Sequence, residues 1–257
     1  MHETPLVYEH PLNERVRTLL RLEFLFEQGG FALGGSTTWH SRLGVQTLLD
    51  IQALLSRGDL RSDIQKEIER LTGSLDALRS KRGVDAGRLD AVLEECHDLL
   101  ERLRSAPPGI PGELRGNEFL ANVAQRAGIL GGTCGFDLPG YQLWLHADPA
   151  ARQQDLERWF GALGDLQEAT QLILRLLRDS ADPTREVARD GTYQTTLDRD
   201  TPYQLLRVSL PPGTRCFPEV SGSRHFCTIR FMVQPDLHER AQPLQEDVEF
   251  RFERCVI

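Results

Sequence analysis

The sequence predicts an α+β protein: a mainly α-helical N-terminal domain with an antiparallel helical hairpin, then a mainly C-terminal antiparallel β-strand domain that recruits the N-terminal strand. Three observations predict it. Apolar residues recur at steps of three and four through residues 12–179, the period of amphipathic helices. After "DSADPTREVARDG" the pattern changes to short alternating runs between turn residues, as antiparallel strands require. The opening "PLVYEH" shares that strand character although it precedes every helix. The expected domains are 12–180 and 181–257, with strands from about 4–10 and 137–147 joining the second.

In "EHPLNERVRTLLRLEFLFEQ" the residues Val16, Leu19, Leu20, Phe24 and Phe26 form the predicted apolar face of a first helix. Arg17 has Glu14 three residues before it and is expected to pair locally. Arg21 has Thr18, Arg17, Phe24 and Leu25 at those spacings, none of them acidic, so helical spacing supplies it no acidic partner. Leu60, Ile64, Ile68, Leu71, Leu75 and Leu78 form one stripe, and Leu89, Val92, Cys96, Leu99, Leu100 and Leu103 a second. "KRGVDAG" between them supplies the turn of the hairpin. "SAPPGIPG" ends the second helix because its prolines lack donors and bar helical continuation. A helix over 117–125 leads into the Gly-rich "GILGGTCG", and a long helix is expected over 149–178 with Leu156, Trp159, Phe160, Leu163, Leu166, Leu172 and Leu176 on its apolar side.

"YQLLRVSL", "RCFPEV", "FCTIRFMV" and "VEFRFERC" are the clearest strands of the second half, and "YQLWLH" (141–146) reads as an earlier one. Alternation places Cys227, Ile229, Phe231 and Val233 on one face and Phe226, Thr228 and Arg230 on the other. By the same rule Leu206, Val208 and Leu210 point inward, and Arg207 and Ser209 outward. Between Thr201 and Arg230 stand Arg207, Arg215, Arg224 and Arg230 against one acid, Glu219, in a chain of net charge −8. A patch of this sign suits an acidic partner, and solvated strand faces carry the same pattern.

The 257 residues allow one or two domains, and the balance of 40% hydrophobic and 26% charged residues is that of a globular protein. An acidic total argues against a broad basic surface for nucleic acid. Lys66 and Lys81 are the only lysines among 30 basic residues, so cationic recognition falls to arginine, which grips carboxylates with two hydrogen bonds. No secretory signal is read at the start, and no run reaches the roughly 20 apolar residues of a membrane span. Five cysteines without a Cys-x-x-Cys pair suggest neither a disulfide framework nor a zinc site, and a reduced, cytoplasmic chain is expected. Cofactors are expected to be none, and the histidines form no metal-spaced cluster.

"GGTCGFD" around Cys134 raises the alternative of a cysteine-dependent hydrolase with His146 or His225 as base, against a small cysteine held in a turn. No nucleophile elbow, phosphate-binding loop or dinucleotide-binding glycine triplet occurs. The residues alone fit a binding protein better than an enzyme.

"YEHPLNERVRTLLRLEFL", "GGTCGFDLPGYQLWLH" and "SGSRHFCTIRFM", in that order, closely resemble the ZapD family of Z-ring-associated cell division proteins, over residues 7–252. The resemblance implies a non-enzymatic homodimer that binds the C-terminal tail of FtsZ, cross-links and bundles FtsZ filaments, and stabilises the Z-ring at mid-cell. It implies no nucleic acid and no membrane insertion. Carried over residue by residue, the tail-binding set is Arg17, Arg21, Arg57, Arg115, Gln142, Arg207, Arg224, His225 and Arg230. Arg21 stands in the family's "RTxLRxEF", Arg57 in its "RGxxR", and Arg230 in its "xIRF". The family's histidine is Gln142 here, and a family arginine falls on Glu118, with Arg115 the nearest basic substitute.

Overall fold

The computed structural model describes residues 5–81, 83–107, 109–223 and 225–256. It is mixed α+β, with helices first and antiparallel strands concentrated after residue 183, as expected. The chain divides into two compact units. One joins the residues up to Thr18 with those from Leu174 onward; the other is Leu19–Ile173. The first helix and the last therefore each contribute to both units.

In the helical unit, α1 (Glu14–Leu33), α2 (Thr38–Leu55), α3 (Leu60–Asp76), α4 (Ala86–Ser105), α5 (Glu118–Ala127), α6 (Pro139–Leu145), α7 (Pro149–Gly161) and α8 (Gly164–Asp179) follow in order. Side-chain caps fix several starts: Thr37 accepts from the His40 N–H, Asp59 from Ser62, Asp85 from Gly87 and Arg88, and Asn117 from Leu120. α3 and α4 form the expected hairpin. Arg61 and Gln65 at the start of α3 donate to Pro107 and Leu103 carbonyls at the end of α4, and Arg79 pairs with Asp90 at the other end. Ile64, Ile68 and Leu71 are buried on one helix, and Leu89, Leu93, Cys96, Leu99 and Leu103 on the other.

Three expectations about this unit are corrected. The stretch 137–147 is no strand: α6 occupies it, with Pro139 in its first turn. Tyr141, Leu143 and Leu145 alternate in sequence, but Tyr141 and Leu145, four apart, are buried while Leu143 is exposed, the helical outcome of an ambiguous pattern. The single helix over 149–178 is two, α7 and α8, broken around Gly161 and Gly164, where the Leu163 N–H turns back to the Phe160 carbonyl. On α1 the buried stripe is Val16, Leu19, Leu22 and Phe26, whereas Phe24 is exposed. At about 100° per residue Phe24 lies roughly 160° around the helix from Phe26.

The β unit is a sandwich. Strands β1 (Leu6–Pro11), β2 (Thr184–Ala188), β3 (Thr192–Thr196), β4 (Tyr203–Leu210), β5 (Cys216–Gly222), β6 (Phe226–Val233), β7 (Gln242–Pro243) and β8 (Val248–Val256) pair antiparallel. One sheet has the order β1-β4-β8-β2; the other is β3-β6-β5, with β7 also on β6. The N-terminal strand is thus recruited as expected, with Tyr8 opposite Val208. Leu206, Val208, Leu210, Phe250 and Phe252 from the first sheet meet Cys227, Ile229 and Phe231 from the second in one core. The Phe231 and Phe250 rings lie 5.2 Å apart, and Tyr193 sets its edge against Phe250 at 5.3 Å. Arg230 and Phe226 face outward from β6, as alternation requires.

Candidate functional site

Arginine chemistry in this protein divides by what each guanidinium already holds. In the β unit, Arg207 on β4 lies between Glu9 of β1 and Glu253 of β8, its neighbours across the sheet. Its Nε donates to Glu9 at 2.9 Å, and its Nη1 pairs with Glu253. Arg178 of α8 grips the same Glu9 with two bonds of 2.8 Å. Burial alone would raise the Glu9 carboxyl, but hydrogen bonds and charge from Arg178 and Arg207 hold it below its ordinary value. Arg207, expected as an outward side chain available to a partner, is 20% exposed and occupied by internal acids. Ser209, on the same outer face, is nearly buried.

Arg17 pairs with Glu14 at 3.1 Å, as its spacing predicts. Arg230 is exposed at the middle of β6, with Thr192 and Glu219 as cross-strand neighbours, and forms no ion pair among the described residues. His225 is exposed where the Leu197 N–H meets its carbonyl. Arg224 lies outside the described residues.

In the helical unit, Arg57 is exposed just past the end of α2 and has no ion pair among the described residues. Gln52 of the same helix donates to the Leu114 carbonyl at 3.4 Å, which brings the loop carrying Arg115 against α2. Arg115 is exposed and engaged within the chain. Arg21 is exposed on α1 and also engaged, so the absence of an acid at helical spacing does not leave it without a partner. Gln142 is half-buried on α6, with its side chain close against Gly135.

Sequence reading passed over Arg42. On α2, its guanidinium lies over the Trp39 ring at 5.6 Å and the Tyr141 ring at 5.2 Å, and Nη1 donates to the Thr133 carbonyl at 3.1 Å. The Tyr141 phenol is pushed up to about 12, chiefly by burial, with Arg42 opposing. The signal was present as an aromatic residue three before an arginine in one helix, Trp39 and Arg42, which places both on one face.

The cysteine hypothesis finds no support. Among the described residues the Cys134 thiol meets the Asp137 carboxylate at 3.5 Å and no imidazole, and the Nδ1 of His146, one of its expected bases, is hydrogen-bonded to the Gln142 carbonyl at 2.8 Å. Cys227 and Cys255 are buried in the β unit, and burial raises their thiols to about 11 and about 12. Among the described residues no cluster of His, Cys, Asp and Glu is arranged to hold a metal, and no helix is long and apolar enough to cross a membrane.

Comparison with known proteins gives a consistent answer. A family model named ZapD, described as a cell division protein, matches residues 20–230. A relative from Methylococcus capsulatus (strain Bath), named "Cell division protein ZapD", is 40% identical over 252 residues, covering 98% of both chains.

Proposed function

The chain belongs to the ZapD family of cell division proteins, and we propose that within that role it is a non-enzymatic factor that binds the C-terminal tail of FtsZ and, as a homodimer, cross-links FtsZ filaments in the cytoplasm at the division site. The observation that carries this reading is that exposed arginines, Arg57 and Arg230 among them, form no ion pair among the described residues of a protein whose net charge is −8. An acidic chain leaving selected guanidiniums unneutralised suits a partner that brings carboxylates. The FtsZ tail, a disordered segment ending in mixed acidic and apolar residues, is such a partner. Arg17, Arg21, Arg115, Gln142, His225 and Arg224 are further contacts in this reading. Arg207 serves to hold β1 on the sheet, since its charge is shared between the internal carboxylates of Glu9 and Glu253.

Each exposed ion pair is worth only about 0–1 kcal/mol, so a single tail is held weakly. A dimer offering two tail sites to filaments that carry many tails gains strength through effective concentration. Co-sedimentation with FtsZ filaments is the test. The native chain is expected to pellet with filaments and to stay in the supernatant when FtsZ lacks its tail. Arg57→Glu and Arg230→Glu are each expected to weaken binding, and binding falls as salt rises. Equal pelleting with tail-less filaments overturns the reading.

A further inference from the structure

Arg42 is a half-buried cation without an anion. Among the described residues it has no carboxylate partner; its contacts are the faces of Trp39 and Tyr141 and the carbonyl of Thr133. Partly burying a guanidinium costs solvation, which ring faces and one carbonyl repay only in part. The group carries five N–H donors, and one of them reaches Thr133. Arg42, Trp39, Gln46, Thr133 and Tyr141 line a cleft of about 450 Å³ on the helical unit, so the guanidinium faces an open volume.

The walls of that cleft set a second requirement. Trp39 is 77% exposed, an unusual state for an indole. Leu43, Val45 and Val123 complete the lining with aliphatic carbon. A cation bedded on aromatic faces beside an exposed indole calls for a ligand with a carboxylate and an apolar group close together. Inorganic anions satisfy only the first demand, and an apolar helix only the second.

We propose that this cleft is a subsite for an acidic–apolar peptide segment, in which Arg42 receives a carboxylate through its free N–H edge and Trp39 covers the neighbouring aliphatic or aromatic side chain. The subsite rests on the tail-binding reading above and adds to it the place where the tail's apolar residue is recognised. Charge complementarity selects the occupant: the cleft supplies one uncompensated positive charge, and a peptide of mixed acidic and apolar residues brings the opposite charge with a side chain to bury. Tyr141 orients Arg42 from below, and Arg42 in turn holds the 128–137 loop, so the subsite is assembled before the peptide arrives.

The experiment uses the full chain and a fluorescein-labelled synthetic peptide of the FtsZ C-terminal tail, read by anisotropy together with iodide quenching of tryptophan. Trp39 is the exposed member of the tryptophan set, because Trp159 is buried and Trp144 is half-buried with its N–H on Asp155. The quenchable signal lost in Trp39→Ala therefore belongs to Trp39. Peptide binding is expected to shield that signal, and Trp39→Ala and Arg42→Gln are each expected to weaken binding about tenfold, the loss of one good anchor. Trp39→Ala alters an exposed side chain and leaves the fold intact, so it stands even if Arg42→Gln loosens the loop. Amidating the peptide's carboxylates is expected to remove most of the effect of Arg42→Gln.

Peptide that binds the native chain with undiminished affinity for Trp39→Ala, and with Trp39 still quenchable, overturns the subsite and leaves the tail-binding reading in place. Shielding of Trp39 by concentration alone, without peptide, assigns the cleft to a second copy of the chain and likewise overturns the proposal. A native chain that binds no peptide removes both readings.

Discussion

Beyond the backbone ladder that pairs β1 with β4, Glu9 supplies side-chain ion pairs that tie the N-terminal strand to the rest of the β unit. Its carboxylate is 18% exposed and accepts from Arg178 at 2.8 Å twice and from Arg207 at 2.9 Å, residues 169 and 198 positions away. Glu9→Gln keeps the shape and removes the charge. The amide accepts from one arginine while its NH₂ turns towards the donors of the other, leaving Arg207 with Glu253 alone. Charge-assisted hydrogen bonds contribute about 1.5–3 kcal/mol where they are sheltered. With part of the network open to water and one bond retained, a loss of about 2 kcal/mol is expected.

The assay must see the right unit. Trp39, Trp144 and Trp159 all belong to the helical unit, so tryptophan emission is blind to this change. Amide hydrogen exchange of peptides spanning 6–11 and 203–210 reports β1 and β4 directly, and about 2 kcal/mol lowers their protection about thirtyfold. The pH dependence follows from the direction of the Glu9 shift. Its folded value lies below the ordinary 4.5, so its stabilisation is present above that pH and is lost as pH falls through the folded value. Native chain and Glu9→Gln therefore converge in acid, as followed by urea unfolding with far-UV circular dichroism. Protection in Glu9→Gln within twofold of the native chain at pH 7 refutes the argument that this network holds β1.

Gly191→Ala is expected to destabilise the β unit by about 2–4 kcal/mol, because a methyl there meets the Leu244 carbonyl oxygen at 2.1 Å and Gly191 has a φ of +70°, measured by the same urea unfolding. Arg152→Met is expected to cost about 3 kcal/mol in the helical unit, read by tryptophan emission in urea. Arg152 is buried and donates to Ser41 at 3.0 Å, to the Ser36 carbonyl at 2.7 Å and to the Ala147 carbonyl, and methionine of similar length leaves all three acceptors unmet.

The fold was legible wherever one period dominated. β6 alternates through its first six residues, where Cys227, Ile229 and Phe231 are buried; α3 and α4 carry stripes long enough to exclude a strand. Short apolar runs were not legible, since "YQLWL" satisfies a period of two in its residue types and buries only the positions four apart. Nor was the break between α7 and α8, because the apolar stripe continues through Leu163 and Leu166 while the backbone turns.

The candidate site divides on the same principle. Sequence spacing reveals a partner only within a turn of helix, as for Arg17 and Glu14. It is silent about Arg207, whose acids come from strands at opposite ends of the chain, and about Arg21, whose engagement no neighbour at helical spacing supplies. A surplus of positive charge along 201–230 therefore overstated what the β unit offers a ligand, because one of its arginines is spent on structure. What a ligand meets is set by the cations left after internal pairing, which among the described residues include Arg57, Arg230 and the ring-bedded Arg42. Only the first two were marked by family resemblance. The third emerges when α2 and α6 bring Trp39, Arg42 and Tyr141 to one cleft.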